Sequence, residues 1–332
     1  MPKSSLTRRL IAGLIFGFLV VVALMLFSDL QKVSSRIYGF RWELFPIVLM
    51  LTLFNYLLRG IKFHYYVQLI SSGKVPHANT SRLFLAGFPL AVTPGKVGEA
   101  IKGIWIHHET GAPTAKGISV VLAERISDGL AVLILSTLGV IAYPRYWPAF
   151  TVVLILLLGI IVISQIQPIA LSFLNLIARI PLVNRIVPGL EIFYEGSYVL
   201  FKPTATLIAV SLGMISWLGE GIGFYLILIG LGIPPSTESL SIAIFILAFS
   251  TVIGAVTALP GGLGAAEASI SGMLVLLLNL TQDTAAAATL LIRFATLWFG
   301  VGIGLVVWGF SRDLLGFKTR TNELQETIHE TS

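Results

Sequence analysis

Nine ionisable side chains sit in or beside long apolar stretches of this sequence, and they are where chemistry is possible. They are Lys96, Glu99, Lys102, Glu124, Arg125, Asp128, Glu220, Glu267 and Arg293. A charge at the centre of a bilayer costs roughly 2.5–3.5 kcal/mol on insertion scales, so such residues pair with one another or face a wet cavity. Glu124 and Asp128 are like charges one helical turn apart, with Arg125 at i, i+3 from Asp128. That pair requires a further cation, from Lys96, Lys102 or a substrate. A helix starting near Gly98 would present free N–H groups beside Lys96 and Lys102. A helix N-terminus with adjacent lysines suits an anion such as a lipid phosphate. Glu267 has no neighbouring lysine, and its expected partner is a cation, a proton or an arginine.

Two glycine-bearing breaks organise these residues. Thr93-Pro94-Gly95-Lys96-Val97-Gly98-Glu99 and Pro260-Gly261-Gly262-Leu263-Gly264 share a Pro-Gly-x-x-Gly core inside apolar runs. Proline removes a backbone donor and glycine leaves the helical basin easily, so both interrupt a helix. At membrane depth a break is tolerated only where the backbone is buried in protein or lines a cavity. Paired broken helices in corresponding halves point to a transporter-type binding site.

The elements around them are helical and membrane-spanning. Of 332 residues, 56% are hydrophobic and only 11% charged, with mean hydropathy +0.91. This excludes an ordinary soluble domain, in which about a quarter of residues are charged. The absence of cysteine excludes disulfides and thiolate metal sites. The net charge of +6 reflects basic residues flanking apolar spans, which indicates topology and anionic headgroups rather than nucleic acid.

We expect an all-α polytopic protein with about six full spans plus two broken or re-entrant hairpins. Spans are expected over about 10–27, 42–58, 114–142, 147–166, 204–231 and 284–310. The hairpins are expected over about 83–107 and 240–280. Arg59, Lys62 and His64 would close the second span at a headgroup interface. Residues 1–312 form one transmembrane domain, followed by a polar tail, 313–332. Pro94 and Pro260, and Arg125 and Arg293, stand at nearly equal offsets. This suggests two repeats, about 42–142 and 204–311, joined by a span and an amphipathic connector, 147–202. Other motifs fail. Gly95-Lys96 lacks the first glycine and the Ser/Thr of a phosphate loop, and His107-His108 point to different helix faces. Gly213, Gly219, Gly221 and Gly223 suggest close helix packing.

The two breaks, with Lys102, Glu124-Arg125-x-x-Asp128, Glu267, Arg293 and Trp298, resemble the lysylphosphatidylglycerol synthase/flippase transmembrane family. The resemblance covers nearly the whole chain. It implies a helical module that moves lipids or lipid-linked headgroups between leaflets, with no cofactor, a lipid partner and a cell-membrane location. A homo-oligomer is compatible with it. Lys3, Arg8 and Arg9 before the first apolar run lead us to expect a cytoplasmic N-terminus. With little chain after Ser311, synthase activity of the two-part enzymes is not expected. The implied site comprises Lys96, Gly98, Glu99, Lys102, Glu124, Arg125, Asp128, Glu220, Pro260, Gly261, Gly262, Gly264, Glu267 and Arg293. Phosphate would meet the lysines, while a cationic headgroup or a coupling proton would meet the carboxylates. Rival readings are a membrane enzyme acting on a polyprenyl-phosphate or phospholipid, and a non-catalytic scaffold.

Overall fold

Prolines and small polar residues start the helices where the hydropathy pattern places them. Pro46 and Pro203 occupy first-turn positions, where a missing N–H costs nothing. Ser236 and Ser239 form a reciprocal capping box, each hydroxyl accepting the other's backbone N–H. The computed structural model describes residues 12, 15, 17, 19, 29–93, 98–142, 147–168, 172, 187–257, 259–311 and 313–314. The expected first span over 10–27, apart from isolated positions, and Lys96 with the rest of 94–97 lie outside the described residues. So does the tail beyond 314.

Among the described residues the chain is helical, with no strand. In order, the helices are α1 (Leu30–Tyr38), α2 (Phe45–Ile70), α3 (His77–Ala86), α4 (Ile101–Thr110) and α5 (Thr114–Ala142). They continue with α6 (Trp147–Gln165), α7 (Val187–Leu200), α8 (Pro203–Gly230), α9 (Thr237–Val256) and α10 (Ala265–Leu278). Last come α11 (Gln282–Arg293) and α12 (Phe299–Phe310), joined by a π-helical turn, Phe294–Trp298.

Five segments among the described residues are long and apolar enough to cross a membrane: Trp42–Ile70, Pro203–Gly230, Thr237–Val256, Pro260–Leu278 and Gln282–Phe310. The expected spans near Trp42, Thr204 and Thr284 are therefore present. The two breaks differ. Around the first, α3 and α4 have 10 residues each, whereas the helices meeting at the second are of spanning length. Helix α5 runs 29 residues with its charges near the middle.

Apolar side chains such as Met50, Leu57, Leu156, Leu207 and Val306 are exposed on the outside, where hydrocarbon would be their solvent. Lipid tails are as apolar as leucine, so helices associate through close packing and small residues. The α8 glycines act in this way. A Cβ at Gly213 would lie 2.9 Å from Ala131 of α5, and one at Gly221 would lie 2.9 Å from Ile244 of α9. Gly219 and Gly223 face Phe54 and Val48 of α2. Helix α8 is thus held against three neighbours at backbone-limited distance, with Glu220 among these glycines.

Candidate functional site

Helix α2 does not end near Leu58 but continues to Ile70, which corrects the reading of Arg59 and Lys62 as interfacial. Asn55, Arg59, Lys62 and Tyr66 recur at i, i+4, i+7 and i+11, one face of a helix. That face turns inward: Asn55, Lys62 and Tyr66 are buried, and Lys62 is 0% exposed. His64 projects elsewhere, against Thr80 and in a ring stack with His77.

Arg59 and Lys62 supply the cations that the Glu124/Asp128 pair needs. Arg59 bridges both carboxylates, its Nη2 lying 3.2 Å from Glu124 Oε1 and 3.3 Å from Asp128 Oδ2. Lys62 Nζ donates to Asp128 Oδ1. Lys102 Nζ reaches Glu124 Oε2 at 3.3 Å, as the sequence suggested. Arg125 turns away from Asp128 and instead meets Glu99 Oε2 at 2.9 Å, with Glu124 Oε1 at 3.7 Å. Aromatic faces complete the cage. Lys102 Nζ stands 5.6 Å from the rings of Phe63 and Phe84, and the Arg59 guanidinium 5.7 Å from that of Trp217. Such a network is tolerable because each buried charge has an opposite charge within reach.

The second break is built around one arginine. Arg293 Nε donates to Glu267 Oε1 at 2.5 Å, and its Nη2 to the Gly261 carbonyl at 2.9 Å. The other Glu267 oxygen accepts the Gly264 N–H at 2.6 Å, capping α10. Pro260 opens the turn, and Gly261, Gly262 and Gly264 have φ of 61°, 68° and 87°, a region that favours glycine. The sequence anticipated that Glu267 would need a partner, and it is Arg293. Directly after Arg293 the backbone makes its π turn, and the Tyr56 hydroxyl donates to the Thr296 carbonyl there. Single π turns inside α-helices often mark functional sites.

At the first break, Gly98 is buried with its N–H 3.1 Å from Thr93 Oγ1. The lysine expected to stand beside this helix start, Lys96, lies outside the described residues. The Glu99–Arg125 pair nevertheless has the same sequence separation as Glu267–Arg293, 26 residues. In each half an arginine reaches back to a glutamate that follows the glycine break.

These groups converge on a cavity of about 530 Å³. Arg59, Lys102, Glu124 and Asp128 contribute to its wall from the first half; Trp217, Glu220, Gly261 and Arg293 contribute from the second. Glu267 stands behind Arg293. The volume falls in the range of small-molecule sites, roughly 300–1,000 Å³. Glu220 is 5% exposed and has no hydrogen bond or ion pair among the described residues. Among the described residues, no group of three His, Asp or Glu side chains is placed to hold a metal. Sequence reasoning missed Arg59, Lys62, Tyr56 and Trp217. The helical spacing from Asn55 to Tyr66 was the available signal for Arg59 and Lys62.

The chain matches the family described as the lysylphosphatidylglycerol synthase TM region over residues 14–304. It belongs to that family. Among curated proteins it is similar to a UPF0104 membrane protein of Methanothermobacter thermautotrophicus, 25% identical over 316 residues. That match spans 87% of this chain and 90% of the relative. A second UPF0104 membrane protein, from Methanocaldococcus jannaschii, is 22% identical over 220 residues, covering 66% of this chain and 92% of the relative. Membership in the family and the apolar helices together make this a multi-pass membrane protein.

Proposed function

We propose that this protein moves an anionic phospholipid, or a lipid-linked phosphate headgroup, between the leaflets of a cell membrane. One observation carries the reading: a headgroup-sized cavity, dense with charge, is built at spanning helices from residues of both halves. An acyl chain needs no protein site in a bilayer, whereas a charged headgroup cannot cross hydrocarbon unaided. Arg59, Lys102 and Arg293 would attract the phosphate, and the carboxylates hold those cations in place between transport events. The matched pairs Glu99–Arg125 and Glu267–Arg293 support reading the halves as repeats. Binding sites at the interface of two repeats, beside broken helices, are the common plan of secondary transporters. In this reading the module is a transporter without synthase chemistry, and its N-terminus faces the cytoplasm.

The test is lipid movement by purified protein in liposomes, across fluorescent phosphatidylglycerol, its lysyl ester and a polyprenyl-phosphate sugar. Arg293→Ala and Lys102→Ala serve as controls. Movement of one class, lost in folded variants, is the expected result. A folded protein that moves none of them above empty liposomes, yet forms product from such a lipid in detergent, overturns the transporter reading in favour of an enzyme.

A further inference from the structure

Four of the five acidic side chains at the cavity are held by cations: Glu99 by Arg125, Glu124 by Arg59 and Lys102, Asp128 by Arg59 and Lys62, and Glu267 by Arg293. Glu220 is different. It lies on α8 among glycines, 5% exposed, facing the cavity, and without an ion pair among the described residues. The charged and titratable groups that act on it electrostatically come from three neighbouring helices: Tyr56 and Arg59 of α2, Asp128 of α5 and Arg293 of α11. Helix α9, also packed on α8, presents only Ser250 and Thr251 as polar cavity groups. Arg59 is committed to Glu124 and Asp128, and Arg293 to Glu267 and Gly261.

Charge balance gives this residue a task. Among the described residues the cluster holds five cations, Arg59, Lys62, Lys102, Arg125 and Arg293, against four paired carboxylates. With Glu220 ionised these described charges sum to zero. Protonating Glu220 adds one positive charge, which a single anionic headgroup cancels. Uncompensated charge in a buried site is costly, so protonation of Glu220 and binding of an anion favour each other: Glu220 is ionised with the cavity empty and protonated with an anion bound.

We propose that Glu220 is a proton-carrying residue through which an anionic lipid and one proton are taken up and released together. The idea rests on the lipid-translocation reading above. The carboxylate takes a proton from water on one side as the headgroup enters. It returns that proton to water on the other side as the headgroup leaves, and no bond in the lipid changes. The transported unit, monoanion plus proton, is electroneutral, so a pH difference rather than the membrane potential drives it. Lipid accumulates in the leaflet facing the alkaline side.

Two measurements test this. In the first, phosphatidylglycerol binding to the detergent-purified protein is titrated against pH. Wild-type affinity is expected to fall as pH rises, approaching about tenfold per unit. It should be independent of pH in Glu220→Gln, with the dependence restored in Glu220→Asp. In the second, proteoliposomes carry a pH difference of one unit. The wild type is expected to shift fluorescent phosphatidylglycerol between leaflets by about tenfold, reversing when the gradient is reversed.

Lipid that binds and moves equally at all pH values and gradients overturns the proton inference and leaves translocation standing. A wild-type slope retained in Glu220→Gln also overturns it, by assigning the proton elsewhere. If Glu220→Gln does not fold, Glu220→Asp decides: a pH profile displaced from that of the wild type assigns the proton to Glu220, and an identical profile assigns it elsewhere. Wild-type protein that neither binds nor moves phosphatidylglycerol, its lysyl ester or the polyprenyl-phosphate sugar overturns both readings.

Discussion

Replacing Lys62 with methionine separates a core ion pair from an interfacial lysine. Lys62 is 0% exposed, its amine donates to Asp128, and Asp128 is itself 5% exposed. Removing one partner of a buried pair costs about 3–5 kcal/mol, because the other charge is left uncompensated. Here Arg59 remains 3.3 Å from Asp128, so Lys62→Met should fall near the lower end, about 3 kcal/mol. Asp128→Leu alone strands Lys62 and should cost at least as much. The double variant Lys62→Met, Asp128→Leu removes one charge of each sign. Arg59 then keeps Glu124, and Glu124 keeps Lys102, so no member of this first-half network is stranded. The double variant should lie within about 1 kcal/mol of wild type, a coupling of several kcal/mol. Equilibrium unfolding by denaturing detergent in mixed micelles, followed by tryptophan fluorescence, measures all four corners of the cycle. Lys62→Met within about 0.5 kcal/mol of wild type, as for a solvated surface site, would refute the buried network.

Three further outcomes follow from the second break and its contacts. Gly264 has φ 87°, so Gly264→Ala should destabilise the protein by about 1–2 kcal/mol in the same unfolding assay. Gly302, with open space at its Cβ position, should accept alanine with no such loss. Arg293→Lys should fail to restore the lipid movement lost in Arg293→Ala, since one ammonium cannot reproduce the forked contact to Glu267 and the Gly261 carbonyl. Recovery in the liposome assay would show that charge alone suffices. Tyr56→Phe deprives the Thr296 carbonyl of its donor and should cost about 1 kcal/mol, with faster amide exchange confined to residues around the π turn. Unchanged exchange there would mean that the tyrosine does not hold that turn.

Helices were legible in the sequence wherever one physical signal dominated. Thr114 and Ala142 bound α5 as expected, and Trp147 starts α6, because hydropathy and proline placement agree there. The pairing of Glu267 with Arg293 was foreseeable once both were placed in apolar helices, since neither charge could remain alone. Arg59 and Lys62 were misread because a basic cluster beside Phe63-His64-Tyr65-Tyr66 has the composition of a headgroup interface. Composition ignores facing. Residues 59–66 split by helical period into an inward face with Arg59, Lys62 and Tyr66, and another bearing His64 and Tyr65. Arg125 illustrates a second limit. Spacing on α5 allowed a contact with Asp128, but the partner, Glu99, comes from the end of the first break, 26 residues back, and no local pattern reveals it.

The ion pairs of the cavity divide cleanly between the halves. Arg59, Lys62, Lys102 and Arg125 pair with Glu99, Glu124 and Asp128, all within 42–142, while Arg293 pairs with Glu267 within 204–311. Among the described residues no cavity ion pair joins one half to the other. What crosses there is two hydrogen bonds and one cation–π contact: the Tyr56 hydroxyl to the Thr296 carbonyl, Asn55 Nδ2 to Ser216 Oγ at 3.4 Å, and the Arg59 guanidinium 5.7 Å from the Trp217 ring. Each neutral bond contributes about 0.5–1.5 kcal/mol, against the 3–5 kcal/mol lost on breaking a buried charge pair. Movement at the cavity therefore keeps every ion pair there and gives up only these weaker contacts. A static scaffold has no need of that division, whereas a transporter that exposes its cavity first to one side and then to the other does. In this arrangement Glu220 stands out as the second-half carboxylate that faces the first-half cluster without belonging to either set of pairs. It is placed to respond to whatever charge enters between the halves.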